Sequence, residues 1–490
     1  MAPAARLERG WSRVNWETVI GLETHVELAT KTKMFCACAA SFGGRPNTRC
    51  CPVCMGLPGA LPVLNERAVE HAVRAGLALG CQIDLHSRFD RKNYFYPDLP
   101  KGYQISQLYR PLGRNGSVRV GMEDGSEKVV SIHEVHMEED AGKLIHDPVG
   151  GKTRVDYNRC GIPLIEIVTE PVFSNGDEVV AYLEELRTIL RYLGVSDGRL
   201  EEGSLRCDVN LSVRPAGSGQ LGVRTEMKNL GSFRAVRLAV EYESQRQIAL
   251  LESGGTVVQE TRRWDEDANR SISMRSKEDA RDYRYVPEPD LPEVTLTQDY
   301  LGALRIRQPE LAGEKRRRYR QEYGLSDYDA RMLTGQRALA EWFEQTVALG
   351  ADAKTTANWI LGQVLRQLKQ RDMDAAAMPL RPEQMACILA MVDQGLINRG
   401  TGVQVLDAVF EGGDPEQYVM EHGLERVSDD ASVRNAVERV LAGHPDAAAD
   451  FRAGKEKSFG FLMGQTMREL QGKADPQRVR QLLSERLKNR

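Results

Sequence analysis

Between Val19 and Leu28 the chain alternates: Ile20, Leu22, Thr24, Val26 and Leu28 share one parity, and Glu23, His25 and Glu27 share the other. Successive side chains of a strand point to opposite faces, so the pattern predicts a strand with one apolar face and one Glu-x-His-x-Glu face, on which alternate residues stand about 6.6 Å apart. The polar face has two readings: a row of ligands for a cation or proton, or a sheet face wetted by solvent. The same period returns after Glu201. Leu205, Cys207, Val209, Leu211 and Val213 would face a core, and Arg206, Asp208, Asn210, Ser212 and Arg214 would face away from it. Val223 to Asn229 repeats it with Arg224, Glu226 and Lys228. A sheet that only meets water has no need of charges of both signs on every strand, which weighs against the solvent reading.

Helical periods separate these strands. Val69, Ala72, Val73 and Leu77 line one side of a helix over 66–79 that Gly80 stops. Val179, Val180, Leu183, Leu186, Leu190 and Leu193 line a second, over 176–193, with Gly194 as its cap. Ser232 is the N-cap of a third, which ends near Gly254 and Gly255. Pro287, Pro289 and Pro292 make a rigid break. Beyond it only helical spacing recurs, over 357–369, 381–395 and 435–442. The pattern predicts an α+β domain over residues 1–293, a helical linker domain over 294–400 and a helical tail domain over 401–490. Asn358 to Gln363 and Phe461 to Gln465 look faintly alike, which does not by itself establish a repeat.

A chain of 490 residues is too long for one ordinary core, and 41% hydrophobic residues suffice for several. The net charge of −4 means that the whole-molecule field does not draw in nucleic acid, so any RNA contact would use local cationic patches. Candidates are Gln259–Trp264, Ser273–Tyr285, Lys315–Arg320 and the tail from Lys473 to Arg490, although most such runs are solvated faces. No stretch approaches the roughly 20 apolar residues of a membrane helix. The first ten residues carry no hydrophobic secretion segment, so a cytoplasmic protein is expected.

Five of the nine cysteines lie between Cys36 and Cys54, as Cys-x-Cys followed by Cys-x-x-Cys. Paired short spacings let two turns grip one zinc ion, and Cys36, Cys38, Cys51 and Cys54 are the expected ligands, with Cys50 to spare. Four protein thiolates leave no open position, so the site would be structural; small buried thiols are the plainer alternative. Between His133 and Lys143, Glu134, Glu138, Glu139 and Asp140 crowd two histidines. Neighbouring carboxylates repel unless a proton or cation lies between them, so this is either a hard-cation site or solvated surface charge. The stretch from Arg88 to Gln104 mixes Arg91, Lys92 and Lys101 with several aromatic rings. It would stack a base and hold phosphate, or it is a loop that packs its own rings.

The longer motifs carry a resemblance. VIGLETHVEL (19–28), CPVCMGLPG (51–59), KNYFYPD (92–98), HMEEDAG (136–142), GIPLIEIV (161–168), EEGSLRCDVN (201–210), KNLGSF (228–233) and DYRY (282–285) occur in this order. Together they resemble the family of B subunits of the aspartyl/glutamyl-tRNA amidotransferases, over essentially the whole chain, and 455–475 is similar to that family's tRNA-binding tail. The resemblance implies a cradle domain with a fold like glutamine synthetase and guanidino kinases. It implies a carbon–nitrogen ligase with glutamine as amide donor. ATP would phosphorylate the side-chain carboxylate of Glu-tRNA(Gln) or Asp-tRNA(Asn), and ammonia would displace the phosphate. The ammonia would come from the glutaminase/amidase subunit of the same amidotransferase, held to this chain by the enzyme's small third subunit. Glu23, His25, Lys92, Glu139 and Asp208 are catalytic positions by motif; Glu138 and Arg206 join them from the strand faces. Glu23, His25 and Glu139 would hold Mg²⁺, with His25 acting directly or through water, and Lys92 and Arg206 would contact ATP phosphates. ATP, Mg²⁺ and structural Zn²⁺ are the expected cofactors. A zinc-stabilised RNA-binding protein without chemistry would explain the cysteines and the basic tail but not the carboxylates. A stand-alone ligase using free ammonia would explain the carboxylates but not the tail.

Overall fold

The computed structural model describes residues 14–147, 150–276, 283–424, 430–470 and 474–488. The chain divides into two compact units at Glu314 and Lys315. Residues 277–282, 473, 489 and 490, which belong to the cationic stretches named above, lie outside the described residues, as do residues 471 and 472 and the N-terminal stretch through residue 13.

Nine strands of the first unit form one sheet: β1 Trp16–Glu27, β2 Gln82–Ile83, β3 Gly113–Gly121, β4 Glu127–Glu139, β5 Pro163–Thr169, β6 Leu205–Pro215, β7 Thr225–Lys228, β8 Glu260–Asp265 and β9 Arg270–Ser276. Their order is β9-β8-β7-β6-β1-β5-β4-β3-β2, so the alternating strand β1 is central. All neighbours are antiparallel except β7 and β8. Ile20, Leu22 and Val26 of β1 are buried with Cys207, Val209 and Leu211 of β6, as their parity requires. Helices α1 Glu66–Ala78, α2 Gly176–Leu193 and α3 Phe233–Glu252 bury their apolar stripes in the same core. Asn65 caps α1, Ser232 caps α3 through the Ala235 amide, and Gly194 closes α2 with a left-handed φ of 64°. The α+β architecture and the three helices follow the sequence pattern closely. Helices cover one face of the sheet, and the alternate residues of each strand populate the other.

The first core does not end at 293. Val294, Leu296, Leu301 and Leu304 pack within it. The proline-rich stretch is not a linker either. Val286–Pro287 pairs with Asp90 and Arg91, and buried Glu288 binds Arg91 through two hydrogen bonds of 2.8 Å. Proline suits an edge strand because the missing N–H faces no partner there, and the sequence pattern does not separate that role from a break.

The second unit holds two helical cores, one drawn from residues between Tyr319 and Val419 and one from residues between Val433 and Leu487. The expected boundary at 400 falls inside the first of these, because helix Arg399–Phe410 buries Val405, Leu406 and Val409 there. The faint likeness has a structural counterpart. Ile360, Val364 and Leu368 are buried at four-residue spacing in one core, and Leu462, Thr466 and Leu470 repeat that spacing in the other. Each segment precedes a helix opened by proline, Pro382–Asp393 and Pro476–Lys488. The cationic run at 315–320 is partly turned inward. Lys315 lies 2.7 Å from Glu344, Arg318 also pairs with Glu344, and the buried Tyr319 hydroxyl donates to it at 3.0 Å. Arg320 pairs with Asp327 at 3.2 Å. Among the described residues no helix is long and apolar enough to cross a membrane.

Candidate functional site

The face of the sheet opposite the three helices carries two carboxylate groups, set by strand register. His25 stands across from Glu166 on one side and Arg206 on the other, while Glu23 stands across from Val168 and Asp208. His136 stands across from Glu166 on β4. The first group is therefore His25, Glu138 and Glu166, and the second is Glu23, Asp208 and Glu226; within each, ligand atoms lie within 4.8 Å of one another.

In the first group, His25 Nε2 is 3.4 Å from Glu138 and 3.5 Å from Glu166, and His136 Nε2 is 2.8 Å from Glu166. Ser106 donates to Glu138 at 3.4 Å. The electrostatics sort these groups. Burial opposes charge on Glu166, but His136 and His25 outweigh it and hold the carboxyl well below its usual range. Burial dominates at Glu138 and raises it. Burial also opposes charge on His136, but Glu166 and Glu138 lift it to about 9. Lys92 lies on the short strand Asp90–Asn93, 4.8 Å from the centre of the Tyr283 ring. Burial alone would discharge it, yet Tyr285, Glu138 and Glu166 keep it above the ordinary lysine value. A protonated ammonium facing two carboxylates suits an incoming phosphate.

In the second group, Asn210 donates to Glu23 at 2.9 Å, Thr261 donates to Glu226 at 2.7 Å, and Lys228 binds both Asp208 and Glu226. Burial, reinforced by Glu166, raises Glu23 above an ordinary carboxylate. Lys228 neutralises part of the charge, and three carboxylates held this close still offer an all-oxygen site of the kind that Mg²⁺ takes.

The structure parts Glu139 from the expected set of Glu23, His25 and Glu139. Glu138 and Glu139 are successive residues of β4 and point to opposite faces. Glu139 pairs instead with buried Lys101 and accepts the Ile105 amide at 3.0 Å. It lines a cleft of about 150 Å³ shared with Lys33, Cys54 and Gly161. Arg206 comes into register with His25, but its guanidinium goes to Asp140 at 2.9 Å, where Arg159 joins at 3.2 Å. Burial first, and Asp140 after it, push Glu27 beside them up to about 7. Glu166 was not among the expected site residues. Its signal is a single carboxylate within the apolar run from Pro163 to Val168. Glu226 stood on the expected polar face without a role as ligand, because only the pairing of β6 with β7 brings it to Asp208.

Cys36, Cys38, Cys51 and Cys54 converge as the spacing predicts, with ligand atoms within 4.8 Å, and Cys50 stays outside the cluster. The Cys51 amide lies 3.2 Å from Cys54 Sγ, and Lys33 Nζ lies 3.7 Å from it. Hydrogen bonds, that from Cys36 foremost, and the Lys33 charge hold Cys54 below the ordinary thiol value. Four sulfur ligands at this separation suit a soft or borderline tetrahedral cation.

Residues 18–302 match the family described as the GatB/GatE catalytic domain, and residues 341–487 match the GatB domain. The chain is 52% identical over 473 residues to the B subunit of the aspartyl/glutamyl-tRNA(Asn/Gln) amidotransferase of Lachnoclostridium phytofermentans, covering 96% of this chain and 99% of that one. It is 51% identical over 481 residues to the B subunit of Lachnospira eligens, covering 97% and 100%. To that of Geobacter sulfurreducens it is 49% identical over 479 residues, covering 97% and 100%. Matched by both family descriptions and similar to these relatives from end to end, the chain belongs to the family of aspartyl/glutamyl-tRNA(Asn/Gln) amidotransferase B subunits.

Proposed function

We propose that this chain is the subunit of a glutamine-dependent tRNA amidotransferase that activates the side-chain carboxylate of Glu-tRNA(Gln) or Asp-tRNA(Asn) and converts it to the amide. The observation that carries this reading is the pair of carboxylate groups aligned on one sheet face, with Lys92 beside them. The γ-phosphoryl group of ATP passes to a carboxylate oxygen, leaving ADP. Ammonia then attacks the acyl carbon, phosphate departs, and the nitrogen loses a proton. Such a transfer needs positioning and charge neutralisation more than covalent help. Mg²⁺ supplies that neutralisation when bound. Glu23, Asp208 and Glu226 would hold it through oxygen, and Glu138, Glu166 and His25 form the neighbouring seat. Lys92 meets the phosphate charge. His136 fixes Glu166, and Lys228 and Asn210 orient the second group. Partner subunits would deliver ammonia from glutamine and hold the complex together, in the cytoplasm. The sheet unit would be the catalytic domain, the first helical core a linker and the last core the tRNA-binding tail.

The test combines the chain, ATP, Mg²⁺, mischarged tRNA and ammonia, with and without the partner subunits. Amide formed on the tRNA, with ADP in equal amount, is the expected result; amide on a free amino acid alone, or none with the complete complex, sinks the reading.

The same proposal gives the four cysteines Zn²⁺. Freshly purified protein should contain about one zinc per chain, held structurally because all four positions are protein thiolates. Cys51→Ser should lose the metal and lower the melting temperature. Elemental analysis without zinc would overturn this part.

A further inference from the structure

A buried cation stands beside the four cysteines. Lys33 comes three residues before the first of them, and its side chain is fully buried. Its backbone is fixed on both sides. The Lys33 amide donates to the Cys38 carbonyl at 2.9 Å, so the Cys36–Cys38 turn folds back on it, and the next amide, of Met34, donates to the Gly161 carbonyl at 2.8 Å. The side chain ends with Nζ 3.7 Å from Cys54 Sγ and 3.2 Å from the Tyr157 carbonyl, to which it donates. Lys33 and Cys54 meet over Gly161, whose φ of 85° lies in the left-handed region that favours glycine; a Cβ there would stand 3.5 Å from Lys33 Cδ and 3.6 Å from Cys54 Cβ.

An ammonium buried this completely is costly unless an anion faces it. Among the described residues no carboxylate pairs with Lys33, and Glu139, on the same cleft, is taken by Lys101. The Tyr157 carbonyl uses one of the three N–H donors, and sulfur is the other partner in reach. A zinc ion bound by four thiolates keeps a net negative charge. The loaded centre is therefore the anion that the position of Lys33 calls for.

We infer that Lys33 is a positioning residue of the zinc centre: its ammonium hydrogen-bonds the metal-bound thiolate of Cys54, offsets part of the charge of the centre and ties the metal to the turn from Tyr157 to Ile162 that leads into β5. The inference rests on the proposed function only in taking zinc as the occupant of the four thiolates. A donor on a bound thiolate draws charge from sulfur and strengthens the hold on the metal, as hydrogen bonds to metal ligands do in general. The tie also reaches beyond the metal. Arg159, in the same turn, binds Asp140 beside Arg206, at the end of the carboxylate-bearing face.

The test uses the purified full chain, loaded with Zn²⁺ or Co²⁺ or stripped by a chelator. Lys33→Met keeps the length of the side chain and removes the charge; Lys33→Gln also keeps a donor for the Tyr157 carbonyl. Both should bind zinc about 10- to 100-fold more weakly in competition with a chromogenic chelator, the usual cost of removing a hydrogen bond to a metal ligand. In the Co²⁺ protein both should move the sulfur-to-cobalt charge-transfer band to longer wavelength, because the uncovered thiolate holds its electrons less tightly. Lys33→Met should lower the melting temperature of the zinc-loaded protein and leave that of the stripped protein unchanged or higher, since a ligand stabilises the fold only as far as it binds. Equal losses of stability in both forms, or a variant whose zinc affinity and cobalt spectrum stay at wild type, overturn the role of Lys33 and leave the zinc centre standing. Wild-type protein that binds no zinc overturns the zinc reading and this inference together.

Discussion

Exchanging Glu166 for glutamine is expected to slow ATP-dependent amidation by about 100- to 1,000-fold, the usual cost of removing one preorganised electrostatic contact at a reacting charge. Glu166 is the hub of the first group, in reach of both His25 and His136. It is also the member most firmly ionised there, because the two imidazoles outweigh its burial. Glutamine keeps its shape and a hydrogen bond to His136, so the sheet should fold and the melting temperature should stay near wild type. The loss falls on charge. The Mg²⁺ concentration for half-maximal rate should rise along with the fall in kcat, a change that a merely structural role would not produce. Amidation at near wild-type rate would remove Glu166 from the site. The same assay on Glu226→Gln asks whether the second group holds a cation of its own: a shifted Mg²⁺ dependence there is expected as well.

The second large effect concerns stability. Lys101→Met should destabilise the first unit by about 3–5 kcal/mol, because it leaves the Glu139 carboxylate buried without its cation. Both side chains are almost wholly enclosed, at 8% and 3% exposure. Burial alone would discharge Lys101, and Glu139 keeps it above the ordinary lysine value. The double variant Lys101→Met with Glu139→Gln removes the orphan charge and should recover much of the loss, since a buried pair costs nearly as much in desolvation as it returns. Thermal or urea unfolding of the three proteins measures this. A single variant as stable as wild type, or a double variant no better than the single, would show that the pair is not closed off from water as its burial indicates.

Much of this site was legible because strand parity is a strict rule. The alternation at 19–28 and 205–214 places Glu23, His25, Arg206 and Asp208 on one face, and the structure keeps them there. The four-cysteine cluster was legible because close spacing along the chain forces closeness in space. The motif HMEEDAG misled at one position: a motif names both of its acids, and parity lets only one of them face His25. The stripes and caps of α1, α2 and α3 give those helices nearly to the residue, whereas the helix Gln298–Arg307 of the same unit has no counterpart in the sequence reading. The domain boundaries were not legible, because Pro287 on an edge strand and proline in a linker look alike until the pairing partner is known.

By itself the sequence determined which residues share a face, which segments are helical, where four thiolates gather and which family the motifs resemble. These are local properties, set by backbone periods of two and 3.6 residues and by short spacing. Only the tertiary structure decided which faces meet. It put Glu166 beside His25 and Glu226 beside Asp208, and it sent Glu139 to Lys101. The arrangement of one polar row into two carboxylate groups depends on register between strands distant in sequence. A shift of one residue would turn every one of those side chains to the other face, and no local pattern within a single strand records which register its neighbour will take.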